Sequence, residues 1–351
     1  MMEPVRVGVI GCGVIGTSHM RAATESPDIE LVAAADLIDS NREKAREQFS
    51  PKRVYTDGAD LIADDEVELV VLAFPTAYRG SVGLDVLGAG KHLLTEKPVA
   101  MNADEVRALI AARGDLQAAC CSSRYRFTRG AAVATDFIAS GALGDLRTVR
   151  HRNLGAAGKR PTTPRPEWRL KKHLNGGGYL VNWGCYDLDY LLGITGWSLK
   201  PLTVFAQTWT VPEPYVSHIA PGSDAETHYT AMIRCEGGTI LSIERSEFTA
   251  AEGDQAWGIV GSKGSLGLAM TASKPGRIVY AKADTDDGTS ATTLWEEDED
   301  RSIHAGPLTD LAAAVRGGGA PKTSLEQALV VQQITDAVYR SAETGEAVAI
   351  Q

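Results

Sequence analysis

The stretch that decides the fold is Val5-Arg6-Val7-Gly8-Val9-Ile10-Gly11-Cys12-Gly13-Val14-Ile15-Gly16. Six residues rich in β-branched side chains run into a glycine-spaced turn, and Thr17-Ser18-His19-Met20-Arg21-Ala22-Ala23 continues as a helix. Gly11, Gly13 and Gly16 fit G-x-G-x-x-G with a strand before and a helix after, the context in which the motif binds a dinucleotide. Gly11 permits the tight turn, Gly13 lets a pyrophosphate approach the backbone, and Gly16 lets helix and strand pack closely. The helix start, through Val14 and Ile15, offers free N–H groups and a positive dipole end to phosphates.

The next strand, Glu30 to Ala35, ends in Asp36, twenty residues after Gly16. A carboxylate at that tip can hydrogen-bond both ribose hydroxyls of an adenosine and would repel a 2′-phosphate. Leu37 and Ile38 follow it, with no Arg immediately after, so the pattern points to NAD in preference to NADP.

The chain of 351 residues has room for two domains. Its 44% hydrophobic and 23% charged residues are those of a globular protein in water. A net charge of −10 argues against a nucleic-acid partner and gives no reason to invoke an anionic membrane. No apolar run reaches membrane-spanning length, and a strand begins almost at once, so no signal peptide is expected. Five cysteines without metal spacing fit small buried hydrophobes in a reduced, cytoplasmic protein, with no metal expected.

Strand and helix alternate through the first third. Helices are expected over Asn41 to Phe49, with Ser40 as cap, and over Ala59 to Asp64, Ser81 to Gly88 and Asp104 to Arg113. Strands are expected over Lys52 to Tyr55, Val67 to Ala73, Lys91 to Thr95 and Gln117 to Ser122. Val67 to Ala73 is near-continuously apolar, the mark of a parallel strand buried on both faces. The alternation predicts a doubly wound parallel sheet, with a ligand crevice at its strands' carboxyl ends. Gly11 to Gly16, Asp36, Phe74-Pro75 and Glu96-Lys97 would surround that crevice.

From Arg124 the texture changes. Ala131 to Ser140 reads as a helix, Leu146 to Asn153 as a strand, and Lys159 to Pro166 as a basic, proline-rich loop. Gly176-Gly177-Gly178 opens an apolar helix over Tyr179 to Leu192. Strand-like segments follow over Leu202 to Val211, His228 to Cys235, Thr239 to Phe248 and Gln255 to Val260, two of them joined at Gly237-Gly238. The acidic run Glu296 to Asp300 reads as a solvated loop. The expected domains are 1–123, binding NAD, and 124–351, an α/β domain with a large, mostly antiparallel open sheet. A terminal helix over 324–342, capped by Ser324, is expected to pack back on the first domain.

The chain resembles the Gfo/Idh/MocA oxidoreductases over nearly its full length. The glycine loop carries the resemblance, with Gly90-Lys91-His92 leading to Glu96-Lys97-Pro98, Trp168-Arg169, Gly176-Gly177-Gly178 and Tyr339-Arg340-Ser341-Ala342-Glu343-Thr344-Gly345. It implies a Rossmann domain plus a larger α/β domain, NAD(P)-dependent redox chemistry on a secondary alcohol of a sugar, glycoside or cyclitol, and a homo-oligomer, dimer or tetramer, assembled through the open sheet. It assigns Lys97 to the reacting oxygen, where its ammonium stabilises alkoxide character. Glu96 is expected to hold position and cofactor, and Pro98 to fix the turn, through a cis bond or otherwise.

The chain departs from the family twice. Where many members carry Asp and His four residues apart, it has Asn182 and Tyr186, which a spacing of four places on one helix face. Tyr186 then takes the general-base role, its pKa lowered by Lys97, and Asn182 orients a hydroxyl; His173 is the alternative base. Where many members have Thr-Pro-Asn-x-x-His, it has Phe74-Pro75-Thr76-Ala77-Tyr78-Arg79, which leaves backbone contacts to the cofactor. Arg124, Trp168 and Arg169 match cleft-lining positions and are expected to touch substrate or nicotinamide. Two other classes stay open: a redox-assisted glycosidase using NAD within one cycle, and a non-catalytic NAD- or sugar-sensing protein.

Overall fold

The computed structural model describes residues 3–163, 165–271, 275–298 and 303–351. The chain divides into two compact units. Residues up to Arg124, with the segment ending at Gln332, form one; Tyr125 onward, with Gln333–Gln351, forms the other.

The first unit is a six-stranded sheet of β1 (Val5–Ile10), β2 (Ile29–Ala35), β3 (Arg53–Tyr55), β4 (Leu69–Leu72), β5 (His92–Thr95) and β6 (Ala118–Cys120). The order is β3-β2-β1-β4-β5-β6 and every pairing is parallel. The chain winds outward from β1 to β3, then returns to β4 on the other side of β1. That reversal opens a crevice at the carboxyl ends of β1 and β4. Both faces are covered. Leu69 and Val71 of β4 point into a core with Val5, Val7, Val9, Met20 and Leu308, and Val70 and Leu72 into one with Leu93, Val106, Leu109 and Leu325. The unbroken apolar run of β4 is thus what a doubly covered strand requires.

The second unit is a nine-stranded sheet. Its strands are β7 (Leu146–Ala156), β8 (Pro201–Trp209), β9 (His228–Cys235), β10 (Ile240–Thr249), β11 (Asp254–Gly261), β12 (Gly264–Gly267), β13 (Gly276–Asp284), β14 (Gly288–Glu297) and β15 (Val348–Ala349). They lie in the order β14-β13-β12-β11-β7-β10-β9-β8-β15, antiparallel except for β7 with β10. Gly237 and Gly238 turn the β9–β10 hairpin with φ of 72° and 88°, values that favour glycine. One sheet face is buried by Tyr229, Ile233, Leu241 and Ile243. The other leaves Phe205 and Met232 more than half exposed.

Several local expectations shift. Ser40 is no cap, because the helix begins one residue earlier (Asp39–Phe49). The last strand of the first sheet stops at Cys120, and Cys121–Phe127 coils helically. Glu296 and Glu297 end β14 rather than lying in a loop; Glu299 and Asp300 are outside the described residues, as is Pro164 of the basic loop. The helix Gly306–Val315, started by Pro307, was not anticipated. Ser324 caps the last helix (Leu325–Thr344) as expected: its Oγ accepts from the Gln327 N–H while Gln327 Oε1 accepts from the Ser324 N–H.

Candidate active site

The glycine loop is built by close approach. A Cβ on Gly16 would lie 1.7 Å from the Gly11 carbonyl oxygen, and one on Gly11 (φ 92°) would lie 2.6 Å from the Ala73 carbonyl at the end of β4. Gly13 differs, because a Cβ there would meet nothing within 4 Å. Two glycines therefore let the chain pack on itself, and the third leaves a bare, open stretch of backbone at the helix start. That cradle fits a dinucleotide pyrophosphate. Val14 is exposed and Ile15 half-buried at the first helical turn. Exposed Leu37 and Ile38 stand at the end of the neighbouring β2, so apolar side chains rim the cradle.

Asp36 is anchored to the loop. Its Oδ2 accepts from the Cys12 N–H at 2.7 Å and from Asn41 Nδ2 at 3.1 Å, and its Oδ1 from the Ile38 N–H at 2.8 Å. Arg42 was missing from the sequence expectations. It donates to the Asp36 carbonyl at 2.6 Å and pairs with Asp39. Phe74 and Pro75 follow β4, half-buried, and the Pro75 carbonyl accepts from the Tyr78 N–H.

At the end of β5, Glu96 is almost fully buried. Its Oε1 receives His19 Nε2 at 2.9 Å and Arg124 at 2.6 Å, and its Oε2 receives the Lys97 N–H at 3.2 Å. Burial pushes this carboxyl up, but the charges of Arg124, His19 and Lys97 outweigh it and hold it well below the usual range. Arg79, also buried, donates to the carbonyls of Glu96 and Lys97 and to Thr76 Oγ1. Lys97, half-buried, is thus fixed through its own N–H and C=O, and the Lys97–Pro98 peptide is cis. Arg124 was expected on the substrate. Its guanidinium instead lies buried on Glu96 and on His304 Nδ1, 3.0 Å away. His19, Glu96 and Cys121 approach metal spacing. Arg124 already occupies Glu96, and burial pushes the Cys121 thiol well up, so the chemistry of the group is that of a hydrogen-bonded cluster.

In the second unit the triple glycine is a packing device. A Cβ on Gly177 would lie 1.9 Å from the Tyr339 hydroxyl, and one on Gly178 1.9 Å from the Glu226 carbonyl oxygen. The buried Glu226 carboxylate takes up the N–H groups of Gly178 and Leu180 and the Tyr339 hydroxyl, so it satisfies the helix start. The expected helix Tyr179 to Leu192 is not uniform: Leu180–Gly184 is wound as a π-helical turn and Cys185–Ile194 as an α-helix. The spacing of Asn182 and Tyr186 crosses that change, so one-face stacking at i, i+4 does not follow from regular α geometry.

Asn182 donates to the Gly178 carbonyl at 2.7 Å and the Arg169 carbonyl at 3.0 Å. Tyr186 is 5% exposed, with its ring edge-on to Tyr125 (centroids 5.3 Å apart) and to Trp183 (5.8 Å). Trp168 and Arg169 lie in the turn Glu167–Leu170, Trp168 exposed and Arg169 half-buried. His173 is exposed. Beside Tyr186, the fully buried Asp187 takes a two-pronged pair from Arg245 (both 2.7 Å) and a bond from the Tyr229 hydroxyl. Arg245 also reaches His151 at 3.3 Å and lies over the Trp183 ring. Burial, with help from the Arg245 charge and against Asp187, brings His151 down to about 4, so it is neutral at pH 7. Two aspartates in an otherwise apolar helix, Asp187 and Asp189, were the visible signal for these buried pairs; Asp189 holds Arg126 at 2.7 Å.

A bare glycine cradle at a topological switch point, an anchored acid on the next strand and a rigidly held lysine at the end of β5 define a dinucleotide-dependent oxidoreductase. Comparison with known proteins agrees. Residues 5–122 match the model of the oxidoreductase family with an NAD-binding Rossmann fold, and residues 132–267 match the GFO/IDH/MocA C-terminal domain. The chain belongs to the GFO/IDH/MocA oxidoreductase family, and is an NAD-dependent enzyme with NAD as its cofactor.

The D-glucoside 3-dehydrogenase of Escherichia coli strain K12 is 24% identical over 98% of this chain and 97% of its own length. The levoglucosan dehydrogenase of Pseudarthrobacter phenanthrenivorans is 26% identical over 69% of this chain and 67% of its own. An inositol 2-dehydrogenase of Rubrobacter xylanophilus is 35% identical over 43% of this chain and 45% of its own. Among solved structures, levoglucosan dehydrogenase in complex with NADH and L-sorbose superposes with a TM-score of 0.83 over 100% of both chains at 21% identity.

The Glu96 cluster sets a pH dependence. With the folded carboxyl held below its unfolded value, its contribution to stability is complete above about pH 4.3 and is lost as pH falls below that. Glu96→Gln strands the buried Arg124 and should lower unfolding free energy at pH 7 by about 3–5 kcal/mol. Urea titrations from pH 7 to pH 3 should show a shallower acid fall for the variant than for the parent; equal slopes would mean that Glu96 does not carry the acid limb.

Proposed function

We propose that the protein moves a hydride between NAD and a secondary alcohol of a sugar, glycoside or inositol. The observation that carries this is the anchoring of Lys97. Both its N–H and its carbonyl are held by buried charged groups at the carboxyl end of a strand in the sheet that bears the glycine cradle. The near full-length similarity to a glucoside dehydrogenase supports the substrate class. Bound NAD supplies or accepts the hydride. Lys97 donates from its ammonium to the reacting oxygen and stabilises negative charge there. Tyr186 Oη removes the hydroxyl proton on oxidation and returns it on reduction. Arg169 and Tyr186 lie within electrostatic reach of each other. Asn182 fixes the Arg169 turn through its amide, and Trp168 offers an apolar wall to a sugar face. Gly11, Gly13, Val14, Ile15 and Gly16 hold the pyrophosphate, Asp36 the adenosine ribose, and Phe74 and Pro75 line the cofactor side. Glu96 positions Lys97, and Arg124 balances Glu96.

We further propose a homo-oligomer, a dimer or tetramer, joined through the sheet face that leaves Phe205 and Met232 exposed on paired residues of β8 and β9. Among the described residues no helix is long and apolar enough to cross a membrane. All five cysteines are free and buried, which supports a reducing, cytoplasmic setting.

Tyr186→Phe keeps the ring contacts and removes one hydroxyl. Turnover in an NADH-absorbance assay over a panel of sugars, inositols and glycosides should fall roughly 10²–10⁴-fold with NAD affinity unchanged. Lys97→Ala should fall comparably. Near-normal turnover in Tyr186→Phe, with loss in His173→Ala, would reassign the base to His173.

NAD should bind at least about tenfold tighter than NADP, a difference of ~1.4 kcal/mol. Asp36→Asn keeps the shape of the loop anchor and removes its charge, so it should narrow that gap by improving NADP binding in fluorescence titrations. An unchanged gap would take the discrimination away from Asp36.

Light scattering at micromolar concentration should give the mass of two or four protomers, and Phe205→Glu with Met232→Glu should reduce it to one. A single-protomer mass for the parent contradicts the interface.

A further inference from the structure

The second unit contains a cavity of about 200 Å³ whose polar lining includes Lys159, Arg165, Arg169, Asn182, His218 and Glu247. It is smaller than the roughly 300–1,000 Å³ clefts that take drug-sized ligands, a scale that suits a single sugar ring. Its charges do not balance. Three permanent cations face one carboxylate, and that carboxylate is taken: Glu247, with a side chain 12% exposed, pairs with Arg165. Lys159 stands exposed. Arg169 is half-buried and, among the described residues, its guanidinium has neither a hydrogen-bond nor an ion-pair partner. Burial, reinforced by Arg165, works against its charge and outweighs the support of Glu247, Tyr179 and Tyr186.

A cation held in that state gains most from an anion. Its backbone is fixed for the purpose, since the amides of Asn182 and Asn175 both donate to the Arg169 carbonyl, at 3.0 and 3.2 Å. The guanidinium can take a carboxylate or phosphate on two N–H groups at once. Leu170, Ile219 and Phe248 supply apolar surroundings in which that contact is screened little.

We propose that this pocket takes a monosaccharide carrying one anionic group, with Arg169 gripping the anion, Lys159 attracting it at the rim, and Glu247 accepting from ring hydroxyls. The proposal rests on the reading that the second unit supplies the substrate side of an NAD-dependent dehydrogenase, and it narrows that substrate to sugar acids or sugar phosphates.

The test uses the full chain with saturating NADH for calorimetric binding, and with NAD for turnover. The probes are D-glucose, D-glucuronate, D-gluconate and D-glucose 6-phosphate. At least one anionic probe should bind tenfold or more tighter than glucose, and 0.5 M NaCl should erode that margin in the unmodified protein. Arg169→Gln should remove most of the ratio between the anion and glucose, a readout that general loss of structure does not produce. Tightest binding of glucuronate or gluconate assigns the anion as carboxylate, and of glucose 6-phosphate as phosphate. Glucose binding as well as the best anion, or no anion binding at all, overturns the proposal. Turnover of glucose without any anion preference overturns it and leaves the dehydrogenase reading standing. Anion binding lost in Arg169→Gln, with no NADH formed from any probe, upholds the pocket and counts against dehydrogenation there.

Discussion

A single carboxylate, Glu96, is the anchor on which the working end of the first unit depends. It has been taken out of water, where an unpaired charge would cost several kcal/mol, and it is compensated from four directions. His19 comes from the first helix, Arg124 from the middle of the helical coil after β6, the Lys97 N–H from the next residue, and His304, through Arg124, from the segment that returns late in the chain. Each partner arrives on a different element. The pairing therefore sets the relative positions of those elements as well as the charge of Glu96. Arg79 closes the same corner from the β4 side by holding the carbonyls of Glu96 and Lys97. The lysine that carries the proposed chemistry is consequently placed by backbone contacts.

The second unit solves a similar problem with different groups. Asp187 and Arg245 are both buried, and their two-pronged contact is completed by Tyr229 and His151. Such pairs add less to net stability than their geometry suggests, because desolvation cancels much of the attraction. Their effect is to fix one arrangement of helix on sheet. Tyr186 immediately precedes Asp187, so the register that this pair imposes is the register in which the tyrosine is presented. Neutral His151 contributes an acceptor without adding a second positive charge.

Much of this was legible in the sequence because it was written in local signals. The glycine spacing and the apolar run of β4 report backbone geometry and two-sided burial directly, and Ser324 with Gln327 reports a helix start. What was not legible depended on distant partners. Nothing next to Arg124 in the chain announces that Glu96 and His304 will claim it. The widened turn at Leu180–Gly184 packs on the distant Glu226 and Tyr229, of which the first accepts the Leu180 N–H and the second crowds Gly184. Ser40 had the right chemistry for a cap, yet Asp36 draws the Ile38 N–H and the helix starts ahead of it. The helix Gly306–Val315 is not legible because its alanine-rich sequence carries a weak periodic signal; its packing against β5, β6 and the first helix supplies what its pattern lacks.

That late helix has a consequence for how the protein comes into being. Leu94 and Ala119, on β5 and β6, are made within the first 120 residues, yet part of their cover, Leu308, Leu311 and Ala312, is synthesised only after eight of the nine strands of the second sheet. At roughly 5–20 residues per second, the nascent parallel sheet waits on the order of ten seconds or more with one apolar face incompletely roofed. During that interval the face is open to chaperones, to neighbouring ribosomes' products and to any amphipathic helix that passes by. The ordering of the chain thus imposes a vulnerable period on the ribosome that is invisible in the finished molecule.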